Sequence, residues 1–350
     1  MSSVIRFSFA RPLVLSALVT GLFGACDGSQ VSSGDAPTGA LEVHAADVLP
    51  SSLKPEDLLN IVASGGFAME AKNFGTSNGT VLVGRSFGSG SAGMRFSSQW
   101  KVRQLANGRY QIFNIIGMRC VSVRDGATWN GASIILDDCR DDLPQTQWQM
   151  VEIATNVFQI RAGHSGKCLQ AYYRDGDALT QWDCAGATAS NQWSFGTAPK
   201  TEIKVLTGSS YATKCLTAKG TAEGAELVQE SCNGSIDQKF WVSQGPKGDY
   251  AFRAQNSQRC IDIAGAGVEN GTTAQMWSCS HTWLSSQMFT PRKLPSYTYS
   301  DSAYNLIPGH ISKCLDREGN PNTADGAKLR LWACSGQNNQ AFALPNVIFR

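Results

Sequence analysis

The sequence predicts an all-β protein assembled from six similar units in two sets of three. Three observations carry that prediction: short alternating apolar segments with no sustained helical periodicity, turn signals at regular intervals, and a cysteine and aromatic spacing that recurs along the chain.

The cysteines set the frame. Ten of them fall, taken in order, into five pairs 16 to 20 residues apart: Cys120 and Cys139, Cys168 and Cys184, Cys215 and Cys232, Cys260 and Cys279, Cys314 and Cys334. Ten residues before each first cysteine stand Tyr110, Phe158, Val205, Tyr250 and Tyr304, followed two later by Ile112, Ile160, Thr207, Phe252 and Leu306. Residues two apart share one face of a strand. The residue after each first cysteine is apolar (Val121, Leu169, Leu216, Ile261, Leu315). Eight residues before each second cysteine stands a glycine: Gly131, Gly176, Gly224, Gly271 or Gly326. Four of these follow Asn130, Asp175, Asn270 or Asp325, which is a hairpin signal.

Each unit closes on an aromatic. The closing residues are Trp100, Trp148, Trp193, Phe240, Phe289 and Phe342, so there are six units and not five. The first lacks cysteines, but Asn78-Gly79 keeps its turn, and Ala68 and Phe87 fill the cysteine positions. The first three units end in Gln-Trp (Gln99, Gln147, Gln192) and the last three in Gln-x-Phe (Gln238, Gln287, Gln340), which splits the set into three plus three. The closing aromatics are expected in the core, because large rings dominate burial. A six-bladed propeller is the rival architecture, but a blade needs no bridged hairpin.

The amino terminus reads as an export signal. Arg6 and Arg11 precede a stretch of 14 apolar and small residues, Pro12 to Ala25, too short to span a bilayer. It ends at Leu22-Phe23-Gly24-Ala25-Cys26, which resembles a bacterial lipobox with Phe23 where the pattern has Leu. That resemblance implies acylation of Cys26, the eleventh cysteine, and a lipid-anchored protein of the bacterial cell envelope. The alternative is ordinary secretion with an incidental Cys26. Paired cysteines agree with export, since disulfides persist in oxidising compartments. Zinc is not expected: there is no CxxC, and the four histidines do not cluster with the cysteines. The formal charge of +2 falls to zero once Arg6 and Arg11 are removed, which gives no reason to expect nucleic acid or an anionic membrane surface as partner.

Units of this length with C-[LIV]-D, a hairpin glycine, L-W-x-C and Q-x-[WF] resemble the ricin B lectin family, over about residues 57–347. The resemblance implies two tandem β-trefoils, each of three repeats with hairpin disulfides. The organisation expected is a signal peptide (1–25), a lipidated Cys26 and flexible linker (26–56), a first trefoil (57–198) and a second (199–350). Ser98, Thr146 and Asn191 stand where the family has its first closing Gln.

The resemblance also implies a carbohydrate site in a unit. An acid two after the first cysteine grips ring hydroxyls, with a Gln four before the second cysteine beside it. A Trp two before the second cysteine covers the apolar sugar face, and an Asn-Gln pair lies near the close. Unit five offers Asp262, Gln275, Trp277 and Ser286-Gln287; unit six offers Asp316, Arg330, Trp332 and Asn339-Gln340. Unit three is a weaker candidate with Gln170, Thr180 and Trp182, and with Tyr172 and Tyr173 nearby. Unit one has Glu70 but Arg85 in place of the Trp. Unit two has Ser122, Ile135 and Asp137, and unit four Thr217, Val228 and Glu230, so both lack grip and platform together.

An enzyme is not expected. There is no G-x-S-x-G, no H-E-x-x-H and no phosphate-binding Gly loop. His164 and His310 sit in equivalent Gly-His turns and read as turn residues. No cofactor or metal is implied. The function expected is a lectin recognising galactose-like or polysaccharide glycans through the second trefoil. The alternative is a trefoil scaffold or inhibitor that binds protein without sugar.

Overall fold

The computed structural model describes residues 49, 53–87, 95–206, 214–280, 282–295, 303–319 and 324–344. The export signal, Cys26 and most of the expected linker lie outside the described residues. Among these residues the chain is all β with short 3-10 turns, and it forms two tandem β-trefoils. Twelve strands from Leu59–Ala63 to Trp193–Thr197 make one antiparallel sheet. Eleven strands from Lys200–Thr201 to Phe342–Ala343 make a second, and the hairpin of Cys314–Arg317 with Leu329–Trp332 completes the set.

Each unit contributes one long hairpin. In unit five Cys260–Ile263 pairs with Ala274–Trp277, and Cys260 stands opposite Trp277. The second cysteine follows two residues later, so each disulfide clamps the open end of its hairpin. All five pairs form as expected, with separations of 19, 16, 17, 19 and 20 residues. Closing loops of that size contributes about 3 kcal/mol each in the chain-entropy account.

The hairpin glycines do more than turn the chain. Gly79 donates its backbone N–H to Leu136 of unit two, Gly131 to Gln181 of unit three, and Gly176 back to Gly84 of unit one, each at 2.8 Å. The second trefoil repeats the circle: Gly224 to Met276 (2.9 Å), Gly271 to Leu331 (2.8 Å) and Gly326 to Gln229 (2.9 Å). All six have φ between +76° and +91°, a left-handed conformation that glycine adopts without strain. This closure in threes rules out the propeller.

All six closing aromatics are fully buried. The three tryptophans each find a partner for the indole N–H: Trp100 donates to the Met69 carbonyl, Trp148 to Val121 and Trp193 to Leu169, all at 2.9 Å. Phenylalanine at the same place in the second trefoil has no N–H to satisfy. The two sets of aromatics anchor separate cores. A third cluster, including Leu58, Phe96, Ile116, Trp241 and Met288, joins the trefoils. Gln99 fastens the join: its Nε2 donates to the Val242 carbonyl (3.1 Å) and its Oε1 accepts from the Ser243 hydroxyl (2.5 Å).

Leu49 and Leu53, within the stretch expected as linker, are partly buried and pack against the first core.

Candidate carbohydrate-binding sites

A residue two after the first cysteine, its cross-hairpin partner, and the residue two beyond that partner share one face of the hairpin. That geometry brings grip and platform together in any unit that carries both.

In unit five Asp262 stands opposite Gln275. Asp262 is 5% exposed; its Oδ2 accepts from Gln275 Nε2 (3.1 Å) and its Oδ1 from the Ser286 hydroxyl (2.9 Å). Ser286 stands where the family pattern has Asn, and it still holds the acid. Trp277 is 39% exposed, and among the described residues no cation or aromatic ring stacks on it. Its ring edge lies against the preceding unit's turn, where a β-carbon on Gly224 would be 4.0 Å from Cζ3. The result is a fixed carboxylate with an uncovered aromatic platform beside it.

Unit six has the same frame and a different filling. Asp316 stands opposite Arg330. Asp316 Oδ1 accepts from Arg330 Nε (3.0 Å), while Oδ2 accepts from Asn339 Nδ2 (2.7 Å) and Gln340 Nε2 (2.9 Å). The Arg330 guanidinium also stacks on Trp332, with Cζ 4.2 Å from the ring centroid. The acid is fully buried.

Gln287 and Gln340, the closing residues of the two candidate units, are buried and clasp the chain. Gln287 accepts from the Ser280 N–H (2.8 Å) and donates to the Ser278 carbonyl (3.0 Å). Gln340 accepts from the Ser335 N–H (2.7 Å) and donates to the Ala333 carbonyl (2.8 Å). Gln238 makes the same pair of bonds in unit four, to Asn233 (2.9 Å) and Ser231 (3.0 Å), where there is no grip or platform. The closing Gln therefore secures the loop after the second cysteine, whether or not its unit carries a site.

Unit three keeps an exposed Trp182 against Gly131, but its grip is a neutral amide, Gln170, which donates to the Ser190 hydroxyl (2.8 Å). Thr180, opposite Gln170, is too short to bridge to it as Gln275 bridges to Asp262. In unit one Glu70 is buried and paired with Arg85 (3.6 Å) and Arg95 (3.4 Å). Burial pushes its carboxyl above the ordinary value and the two guanidiniums pull it back. Unit four joins Glu230 to Lys219 (2.8 Å), and unit two sets Ser122 opposite Ile135. His164 and His310 each bond a carbonyl of the preceding unit's turn, Ala127 (2.9 Å) and Gly267 (3.1 Å). Among the described residues no group of three or more His, Cys, Asp or Glu is placed to hold a metal ion.

Two family descriptions match this chain. "Ricin-type beta-trefoil lectin domain" covers residues 156–289, and "Ricin-type beta-trefoil lectin domain-like" covers residues 97–182. The chain carries two ricin-type β-trefoil lectin domains. Among individual proteins it is similar to Agglutinin-1 of Abrus precatorius, with 24% identity over 262 residues. That match takes in 64% of this chain and 44% of the agglutinin, so the chain spans under half the length of that relative. Among solved structures it is similar to the hemolytic lectin CEL-III: 17% identity, 83% of this chain, 63% of that one, TM-score 0.36. It is also similar to a non-toxic homologue of type II RIPs from Momordica charantia in complex with α-methyl-D-galactoside: 15% identity, 82% of this chain, 95% of that one, TM-score 0.32.

Proposed function

We propose that this protein is a carbohydrate-binding lectin, not an enzyme, and that glycans are held in the second trefoil with unit five as the principal site. One observation carries the reading: Asp262 is fixed by two hydrogen bonds beside a partly exposed Trp277 on which, among the described residues, no cation or aromatic ring stacks. A carboxylate held in this way accepts hydroxyls without first losing rotamer freedom, and the indole supplies apolar contact for the sugar ring. Gln275 and Ser286 position the acid, and Gln275 also presents its amide at the slot. Galactose-like sugars are the first ligands to try, as the family resemblance implies.

The reading assigns the two lectin domains to residues 57–198 and 199–350. It includes export through residues 1–25 and anchoring through an acylated Cys26. Five disulfides suit an oxidising compartment outside the cell. Incorporation of labelled palmitate that is lost in Cys26→Ala supports the anchor; equal labelling of both removes it.

The test of function is binding of the full chain to immobilised galactosides, other monosaccharides and xylan, beside Trp277→Ala. Binding that disappears in the variant, with circular dichroism unchanged, supports the lectin. A folded parent that binds no member of the panel overturns it and turns attention to protein partners.

A further inference from the structure

We infer that Arg330 is a built-in plug that keeps the sixth unit's sugar slot closed, so that the protein binds glycan at unit five but not at unit six. The inference rests on the lectin reading above and goes beyond it, because unit six carries as many of the family's binding residues as unit five.

The plug follows from where the guanidinium lies. Arg330 and Trp332 are two apart on one strand and Asp316 is directly across from Arg330, so all three side chains rise from the same face of the hairpin. Arg330 touches both of the others, through a 3.0 Å bond to Asp316 and a 4.2 Å stack on Trp332. A group that reaches acid and platform together lies in the slot between them. It takes one oxygen of the acid and one face of the ring, which are the surfaces that a sugar needs. The other oxygen is already bonded to Asn339 and Gln340.

Whole-residue exposure does not separate the two platforms, at 39% for Trp277 and 36% for Trp332. What separates them is the occupant of the slot. Gln275 offers a neutral amide and one 3.1 Å bond to Asp262. Arg330 offers a charge-assisted bond, a cation–π stack and a second acid, Glu318, 3.7 Å from Nη1. Charged hydrogen bonds are roughly twice as strong as neutral ones, and a sugar would have to displace these contacts together.

The remainder of unit six is intact beneath the plug. Asn339 is 8% exposed, and its Oδ1 is buried with no hydrogen-bond partner among the described residues. Closure thus traces to one side chain and not to decay of the unit.

The experiment uses lactose–agarose retention of the full chain in six forms: wild type, W277A, W332A, W277A/W332A, R330Q and W277A/R330Q. The plug predicts retention of wild type and W332A alike, loss in W277A, and recovery in W277A/R330Q to within about tenfold of wild type. Retention in W277A that disappears on adding W332A overturns the plug while leaving the lectin reading in place. Failure of a folded W277A/R330Q to recover binding also overturns it. If wild type binds nothing, the reading of unit five fails separately, and R330Q alone decides the plug: gained retention supports it, none overturns it. A readout without sugar accompanies these. The Trp332 indole N–H resonance, assigned by its loss in W332A, should shift in R330Q as the guanidinium leaves the ring; an unchanged resonance overturns the stack.

Discussion

Units five and six share a hairpin, a disulfide, an acid and a tryptophan, yet they present opposite surfaces. In unit five the residue opposite the acid is Gln275, which steadies Asp262 and leaves the indole uncovered. In unit six it is Arg330, which spans from Asp316 to Trp332. The lesson is that possession of binding residues does not make a binding site. The neighbour with the longest reach and a charge decides whether those residues face solvent or each other.

The comparison can be tested from its strongest consequence downward. Trp277→Ala should weaken glycan binding by about 100-fold, since it removes the platform and its apolar contact; isothermal titration with lactose measures this, and Trp332→Ala should leave the affinity unchanged. Asp262→Asn should cost about 30-fold by the same titration, in line with loss of a charged hydrogen-bond acceptor. Asp316→Asn should behave differently. It leaves affinity intact but lowers unfolding stability by about 2 kcal/mol in urea melts, because Arg330 loses its charged partner and the new amide NH2 must face either Arg330 or the Asn339 and Gln340 donors. Equal losses of affinity in the two aspartate variants would show that both slots are open.

The smallest effect lies away from both slots and separates fold from binding. Burial, with Arg253 close by, holds Lys101 at about 8 against an ordinary 10.5. Between those values the unfolded chain binds the extra proton and the folded one does not, so stability should rise with pH across that window. Solvent screening reduces the rise to about 1 kcal/mol. Lys101→Met should abolish it without altering lactose affinity, as followed by urea melts at pH 7.5 and pH 10.5.

Much of the fold was legible because repetition turns weak signals into strong ones. One glycine before a cysteine means little, but Gly131, Gly176, Gly224, Gly271 and Gly326 in register announce six hairpins once Gly79 is added. The closing aromatics were readable as core for the same reason. Their exchange of Trp for Phe becomes intelligible only when the carbonyls of Met69, Val121 and Leu169 are seen to accept the indole N–H groups. The sites were less legible. Arg330 stands in sequence where the family pattern has Gln, and only cross-strand register and the ring contact show that it reaches both acid and ring. Gln287 and Gln340 occupy family site positions, but hydrogen bonds to loop backbone decide their role, and no motif encodes those. Leu49 and Leu53 fall within a Ser- and Pro-containing stretch whose overall composition hides two docking side chains.

The contact between each platform and the turn glycine of the preceding repeat has a consequence for how such a protein can change. Trp277 belongs to unit five, but a β-carbon placed on Gly224 of unit four would lie 4.0 Å from its ring; the same holds for Trp332 and Gly271 of unit five (3.9 Å), and for Trp182 and Gly131 of unit two (3.8 Å). Inheritance by duplication copies one repeat at a time, whereas recognition straddles two. A single repeat cut free would carry an acid and a ring but no backing surface, so the smallest inheritable piece is not the smallest working one. Unit four, with neither grip nor platform of its own, is therefore not spare. A side chain at Gly224, forced into a left-handed backbone at φ +76°, would disturb its neighbour's site first.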